Sequence, residues 1–182
     1  MAFTTYKWSI EEWHEIVNSG LLEGKPVEFL SGEIISMSPE GVEHSYTNDS
    51  VANYLRGVLN NLACVKESHP ITLNNSEPEP DVAIVRLPET IYRNHHPYPQ
   101  DIYWLIEISN RTLKIDLNQK STIYACNGIP EYWVIDLVNK KLIVHTQVDQ
   151  DSYARIKEYT AGTVSPLAFP QIAIALDKLL LY

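Results

Sequence analysis

Two carboxylates in this sequence stand where apolar chain should exclude water. Glu107 closes the run Ile102-Tyr103-Trp104-Leu105-Ile106, and an ionised carboxylate there is costly unless a cation or hydrogen-bond donors compensate it. Asp81 is introduced by Glu79-Pro80 and precedes a second apolar run, Val82 to Val85. If the two runs are neighbouring strands of one sheet, both acids project from one edge. They then share a divalent ion, because Mg²⁺ favours one or two carboxylates supplemented by water and substrate phosphate. Acids at strand ends are also met as solvated groups or as acceptors for backbone amides, and spacing alone leaves that reading open. Strand alternation puts Ser109 on the face of Glu107, and the next lysines are Lys114 and Lys120. Lys120 follows Asp116 by one helical turn and precedes Tyr124 by another, so the three share a face. An ordinary Asp–Lys helix pair, worth roughly 0.2–0.5 kcal/mol, has the same spacing.

The elements that must position these groups follow from patterning. Ser9 and Glu12 form a capping-box pattern around Ile10, Trp13 and Val17, which predicts a first helix over residues 10–19 that stops at Gly20. Val27 to Leu30 and Glu33 to Met37 read as short strands about a Ser31-Gly32 turn. Val51, Leu55, Val58, Leu59 and Leu62 recur at steps of three and four, predicting an amphipathic helix over 44–62 with one core-facing stripe. Short strands are expected over 64–67 and 71–73. Asn74 to Pro80, with Pro78 and Pro80, reads as a loop that delivers Asp81 to a strand over 82–85.

Residues 88–100 carry three prolines and His95-His96 and read as a flexible loop; no third ligand at a useful interval supports zinc there. Residues 102–108 are apolar on both alternating faces, the mark of a strand inside a sheet. A helix over 116–126 ends at Asn127-Gly128, and strands over 131–137, 141–146 and 153–159 form an antiparallel meander. A strand and a short helix complete the chain through residues 172–181. Tyr132-Trp133 reads as core packing rather than a base-stacking platform, and Lys140-Lys141 as a solvated charge pair.

Composition bounds the class of protein. The 182 residues suit one domain, 1–182, and 45% hydrophobic against 20% charged residues argues against disorder. No apolar run approaches the roughly 20 residues of a membrane span, and a basic start followed by an apolar block is missing, so a cytoplasmic protein is expected. Cys64 and Cys126 make neither a metal framework nor a disulfide scaffold and read as reduced, packed thiols. The net charge of −9 is concentrated early: residues 1–50 hold nine acids against Lys7 and Lys25. That weighs against tight non-specific nucleic-acid binding, although metal ions can supply the missing positive charge.

The string Glu79-Pro80-Asp81-Val82-Ala83-Ile84-Val85, then Leu105-Ile106-Glu107-Ile108-Ser109, then Asp116, Lys120, Tyr124 and Gly128-Ile129-Pro130-Glu131-Tyr132-Trp133 resembles the Uma-type restriction endonuclease family. That family is a branch of the PD-(D/E)xK nuclease superfamily. The likeness extends to Glu28-Phe29-Leu30, Gly32-Glu33-Ile34, Met37-Ser38-Pro39 and His44, and so spans most of the chain.

The resemblance implies an α/β, restriction-endonuclease-like mixed central sheet flanked by helices, with an additional antiparallel meander. It also implies Mg²⁺- or Mn²⁺-dependent cleavage of DNA phosphodiesters. Asp81 and Glu107 match the motif's metal-binding acids, with the Ile108 carbonyl as a further ligand. Ser109 stands where the superfamily has lysine, and Lys120 on the next helix is the counterpart. Asp116 would set the position of Lys120 or act as an outer metal ligand, with Tyr124 on the same face. One of Glu43 and His44 is expected to line the metal side; a helix-start histidine with a local hydrogen bond is the plainer alternative.

The acidic N-terminal quarter and the displaced lysine also support a second reading, a catalytically silent nuclease-fold domain that binds nucleic acid or protein. A homodimer would suit cleavage of both strands, but no residue specifies one.

Overall fold

The computed structural model describes residues 4–181. Helix α1 (Ile10–Asn18) begins at the expected capping box: Ser9 Oγ accepts from the Glu12 amide at 3.2 Å, and the Glu12 carboxylate accepts from the Ser9 amide at 2.8 Å. Its one buried residue, Trp13, stacks on Phe29 with ring centroids 5.1 Å apart. Phe29 belongs to the hairpin β1 (Val27–Leu30) and β2 (Glu33–Ser36), which turns at Ser31-Gly32 with both residues at positive φ.

Among the described residues the central sheet has six strands in the order β3 (Cys64–Glu67), β4 (Val82–Val85), β5 (Ile102–Ser109), β6 (Glu131–Asp136), β7 (Lys141–Asp149) and β8 (Ser152–Tyr159). All neighbours are antiparallel except β5 and β6, which run parallel. A parallel pair requires a crossover. Here it is helical: α3 (Leu113–Ile115), a π turn (Asp116–Lys120) and α4 (Ser121–Cys126). The expected meander is present as β6–β8, and it continues the central sheet rather than forming a separate layer.

Alternation divides the sheet's side chains between two cores. One face carries Ile84, Trp104, Ile106 and Trp133 and packs against α2 (Val42–Val58) and α5 (Leu176–Leu180). The other carries Ala83, Leu105, Tyr132 and Val134 and packs against α4 and the β1 side. Val51, Leu55 and Leu59 are fully buried on the first face, each contributing about 1.5–3 kcal/mol of transfer free energy. Parity then decides where the acids go: Asp81 shares the face of Ala83, and Glu107 that of Leu105.

Four expectations are corrected. Helix α2 stops at Val58, with the backbone leaving helical geometry at the C-cap Leu59 and Asn61 following at φ 62°, and Leu62 is 39% exposed instead of joining the core. Residues 71–73 form no strand: Ile71 and Leu73 are buried, but their amides bond to the carbonyls of Pro78 and Ser76 within the proline-bearing loop. The helix expected over 116–126 starts three residues earlier and contains the π turn. The cysteines are not both packed, since Cys64 is half-buried and Cys126 is exposed. The 88–100 loop contains two 3-10 turns, Glu89–Arg93 and Pro99–Asp101, and His95 stacks on Tyr98 at 4.9 Å. The last two short strands are β9 (Thr163–Val164) and β10 (Ile174–Ala175).

Candidate active site

Where β4 begins and β5 ends, the sheet opens into a cleft of about 420 Å³. Val82 pairs with Ile106, so one step further along the ladder Asp81 stands across from Glu107. Both belong to the face that meets the crossover helix. Asp81 is anchored by backbone: the Ile108 amide donates to its Oδ2 at 2.6 Å. His44 Nε2, from the first turn of α2, lies 3.2 Å from the same oxygen. That hydrogen bond, helped by the charges of Glu40 and Glu107, raises the His44 pKa although partial burial opposes it.

Glu107 is 4% exposed and receives two donors on one oxygen, Oε1: Lys120 Nζ at 3.0 Å and Tyr124 OH at 2.7 Å. Burial pushes its carboxyl up to about 8, with Asp81 and Asp116 adding to the rise and Lys120 opposing it. Burial disfavours the Lys120 ammonium, but Glu107, Glu28, Asp116 and Asp81 outweigh this and hold its pKa above the ordinary lysine value. Asp116 accepts from Thr112 Oγ1 at 2.8 Å, and its carboxyl is raised chiefly by burial. The four-residue spacing of Asp116, Lys120 and Tyr124 puts them on one side of the crossover helix, where they are buried at 3%, 9% and 0% exposure; the first step, Asp116–Lys120, is a π turn.

The structure brings Asp81, Glu107, Ile108, Asp116, Lys120 and His44 to one cleft, while Tyr124 reaches it through Glu107. Ser109 is fully buried beside Thr112, with the two hydroxyls 3.3 Å apart. Glu43 is placed elsewhere: it is exposed and accepts from Asn110 Nδ2 at 3.2 Å, because the helix turns it away from its neighbour His44.

Three acids of the cleft were overlooked: Glu28, Glu40 and Glu79, the last with its carboxyl raised chiefly by burial. Glu28 on β1 is 8% exposed, and its Oε2 has no hydrogen-bond partner and sits 3.8 Å from Lys120 Nζ. Its signal was the one that exposed Glu107, a carboxylate inside an apolar strand, Val27-Glu28-Phe29-Leu30. Glu40 lies one turn before His44, and one donor atom from each of Glu40, His44 and Asp81 lies within 4.8 Å of the others. The i, i+4 spacing of Glu40 and His44 was the readable clue.

Six carboxylates, from Glu28, Glu40, Glu79, Asp81, Glu107 and Asp116, therefore line a cleft with one lysine. Glu28 Oε2 accepts no hydrogen bond and has Lys120 only at ion-pair distance, and Glu107 is raised chiefly by burial with Asp81 and Asp116 adding to it. Hard oxygen donors with one imidazole fit a hard divalent ion such as Mg²⁺ or Mn²⁺.

A six-stranded mixed sheet with a helical crossover between its one parallel pair, flanked by helices, defines a mixed α/β fold among the described residues. The chain belongs to the Uma2 family, described as "Putative restriction endonuclease", whose model matches residues 11–177. It is also similar in structure to a protein from Anabaena variabilis described as a "putative nuclease belonging to DUF820". The TM-score is 0.67 at 15% identity, over 85% of this chain and 89% of that one. No curated protein matches the sequence. Among the described residues no helix is long and apolar enough to cross a membrane.

Proposed function

We propose that the cleft is the active site of a divalent-cation-dependent endonuclease that hydrolyses phosphodiester bonds in DNA. The observation that carries this reading is the meeting of Lys120 with Glu107 at 3.0 Å beside Asp81. A lysine displaced from the strand to the crossover helix still reaches the acid it would serve, which supports this reading over a non-cutting domain.

Asp81, Glu107 and the Ile108 carbonyl would hold Mg²⁺ or Mn²⁺. Such an ion, when bound, supplies Lewis acidity at the phosphoryl oxygen and lowers the pKa of its water. The chain's own groups do the positioning. The Ile108 amide and His44 fix Asp81, while Tyr124 fixes Glu107. Lys120 brings a permanent positive charge toward the phosphate, where charge builds up during in-line displacement. Asp116 and Thr112 hold the π turn from which Lys120 extends. The core on the Leu105 face, with Tyr124 and Tyr132, keeps Glu107 buried at one side of the cleft.

The test is nicking of supercoiled plasmid DNA with Mg²⁺ or Mn²⁺. Wild-type protein is expected to nick, and Asp81→Ala and Glu107→Ala are each expected to lower the rate by about a thousandfold or more. Nicking that survives both substitutions overturns the assignment.

A further inference from the structure

Lys120 and a divalent ion compete for the same carboxylate. In the ion-free protein the ammonium donates to Glu107 Oε1, the oxygen that also takes the Tyr124 hydroxyl. Once Glu107 is given over to a cation, an ammonium about 3 Å from that carboxylate meets a like charge in a medium of low dielectric constant. It cannot simply be released, because Lys120 is only 9% exposed and a buried ammonium without an acceptor is strongly unfavourable. An acceptor is already in place. Glu28 Oε2 is buried, accepts no hydrogen bond, and lies 3.8 Å from Lys120 Nζ. A shift of about 1 Å would bring the two to the 2.7–2.9 Å of a charge-assisted bond. The lysine stem, with its four rotatable carbons, accommodates such a shift without moving the backbone. Its strand neighbours Phe29 and Leu30 are core residues, whereas Glu28 lines the cleft.

We propose that Glu28 is the receiving partner of Lys120: when a divalent cation occupies Glu107, the ammonium passes from Glu107 Oε1 to Glu28 Oε2 and stays in the cleft. Glu28 is then a positioning residue that acts through Lys120, and the site has two states, an ammonium-neutralised one without the ion and an ammonium-displaced one with it. The handover rests on the metal-dependent reading above, and the experiment separates the two.

Crystals of the wild-type protein soaked in Mn²⁺, which its anomalous scattering locates, are expected to show the ion at Asp81 and Glu107. Lys120 Nζ should then lie within about 3 Å of Glu28 Oε2 and beyond hydrogen-bond reach of Glu107. Calorimetric titration with Mn²⁺ is expected to show binding weakened about tenfold in Glu28→Gln, the scale of one hydrogen bond to a charged group. An ion at Glu107 with the ammonium still bonded to Glu107 overturns the handover and leaves the metal-dependent reading standing. So does a Glu28 oxygen in the coordination shell, or unchanged Mn²⁺ affinity in Glu28→Gln. No ion in the crystal and no heat of binding in wild-type protein overturn both.

Discussion

Glu77 and Glu107 are both buried carboxylates, and the protein treats them in opposite ways. Glu77 sits between α1 and the loop before Asp81, with Trp13 Nε1 at 2.9 Å, His14 Nε2 at 2.8 Å and Thr72 Oγ1 at 2.7 Å. Burial works against its ionised form, but these three partners prevail and hold its pKa below the usual glutamate value. Glu107 has two donors, both on one oxygen, and its carboxyl is pushed up to about 8. Its neighbour Glu28 has a buried oxygen with no donor at all. A carboxylate saturated with donors acts as a rivet, here pinning α1 to the body of the fold. One left short of donors in a cleft retains capacity for a cation. Burial alone therefore does not set the charge state of these two acids; the placing of the donors on their oxygens contributes as well.

The sharpest way to break this contrast is Glu77→Ala, which strands the Trp13 indole and the Thr72 hydroxyl. It is expected to cost about 3 kcal/mol of stability in urea unfolding while leaving Mn²⁺ affinity unchanged; a change in Mn²⁺ affinity with little loss of stability would reverse the assigned roles. His44→Ala should behave the other way. It removes a partner of Asp81 at 3.2 Å and is expected to lower the nicking rate by about 10–100-fold, with the urea midpoint nearly unmoved.

The smallest expected effect is in the pH dependence of stability. Glu77, with a lowered pKa, contributes stability that is present above the unfolded value of 4.5 and lost as pH falls through its folded pKa. Glu107, raised from 4.5 to about 8, binds its proton more tightly when folded, so its contribution is present below 4.5 and lost as pH rises through 8. Glu77→Gln should therefore flatten the limb below pH 4.5 of a stability–pH curve in metal-free buffer, and Glu107→Gln the fall between pH 4.5 and about 8. Equal effects of both variants on one limb would mean that the two acids are not differently charged.

Most of the architecture was legible in the chain because it is written in local pattern. Continuous apolar runs placed β4 and β5, alternation and turn residues placed the meander, and the Ser9–Glu12 capping box started α1 at the observed residue. Glu107 declared itself because a carboxylate in apolar surroundings contradicts its neighbours, and Asp81 followed as the second acid at the mouth of an apolar strand. What no local pattern contains is donor geometry across strands and helices. The choice of His44 over Glu43 to face Asp81, the convergence of Lys120 and Tyr124 on one oxygen of Glu107, and the arrival of Glu28 beside Lys120 from a hairpin about 90 residues away all depend on how separate elements pack. The amino-acid sequence by itself determined which side chains would be costly to bury; only the tertiary structure decided which of them received partners, because a hydrogen bond is a relation of distance and angle that residue order does not carry.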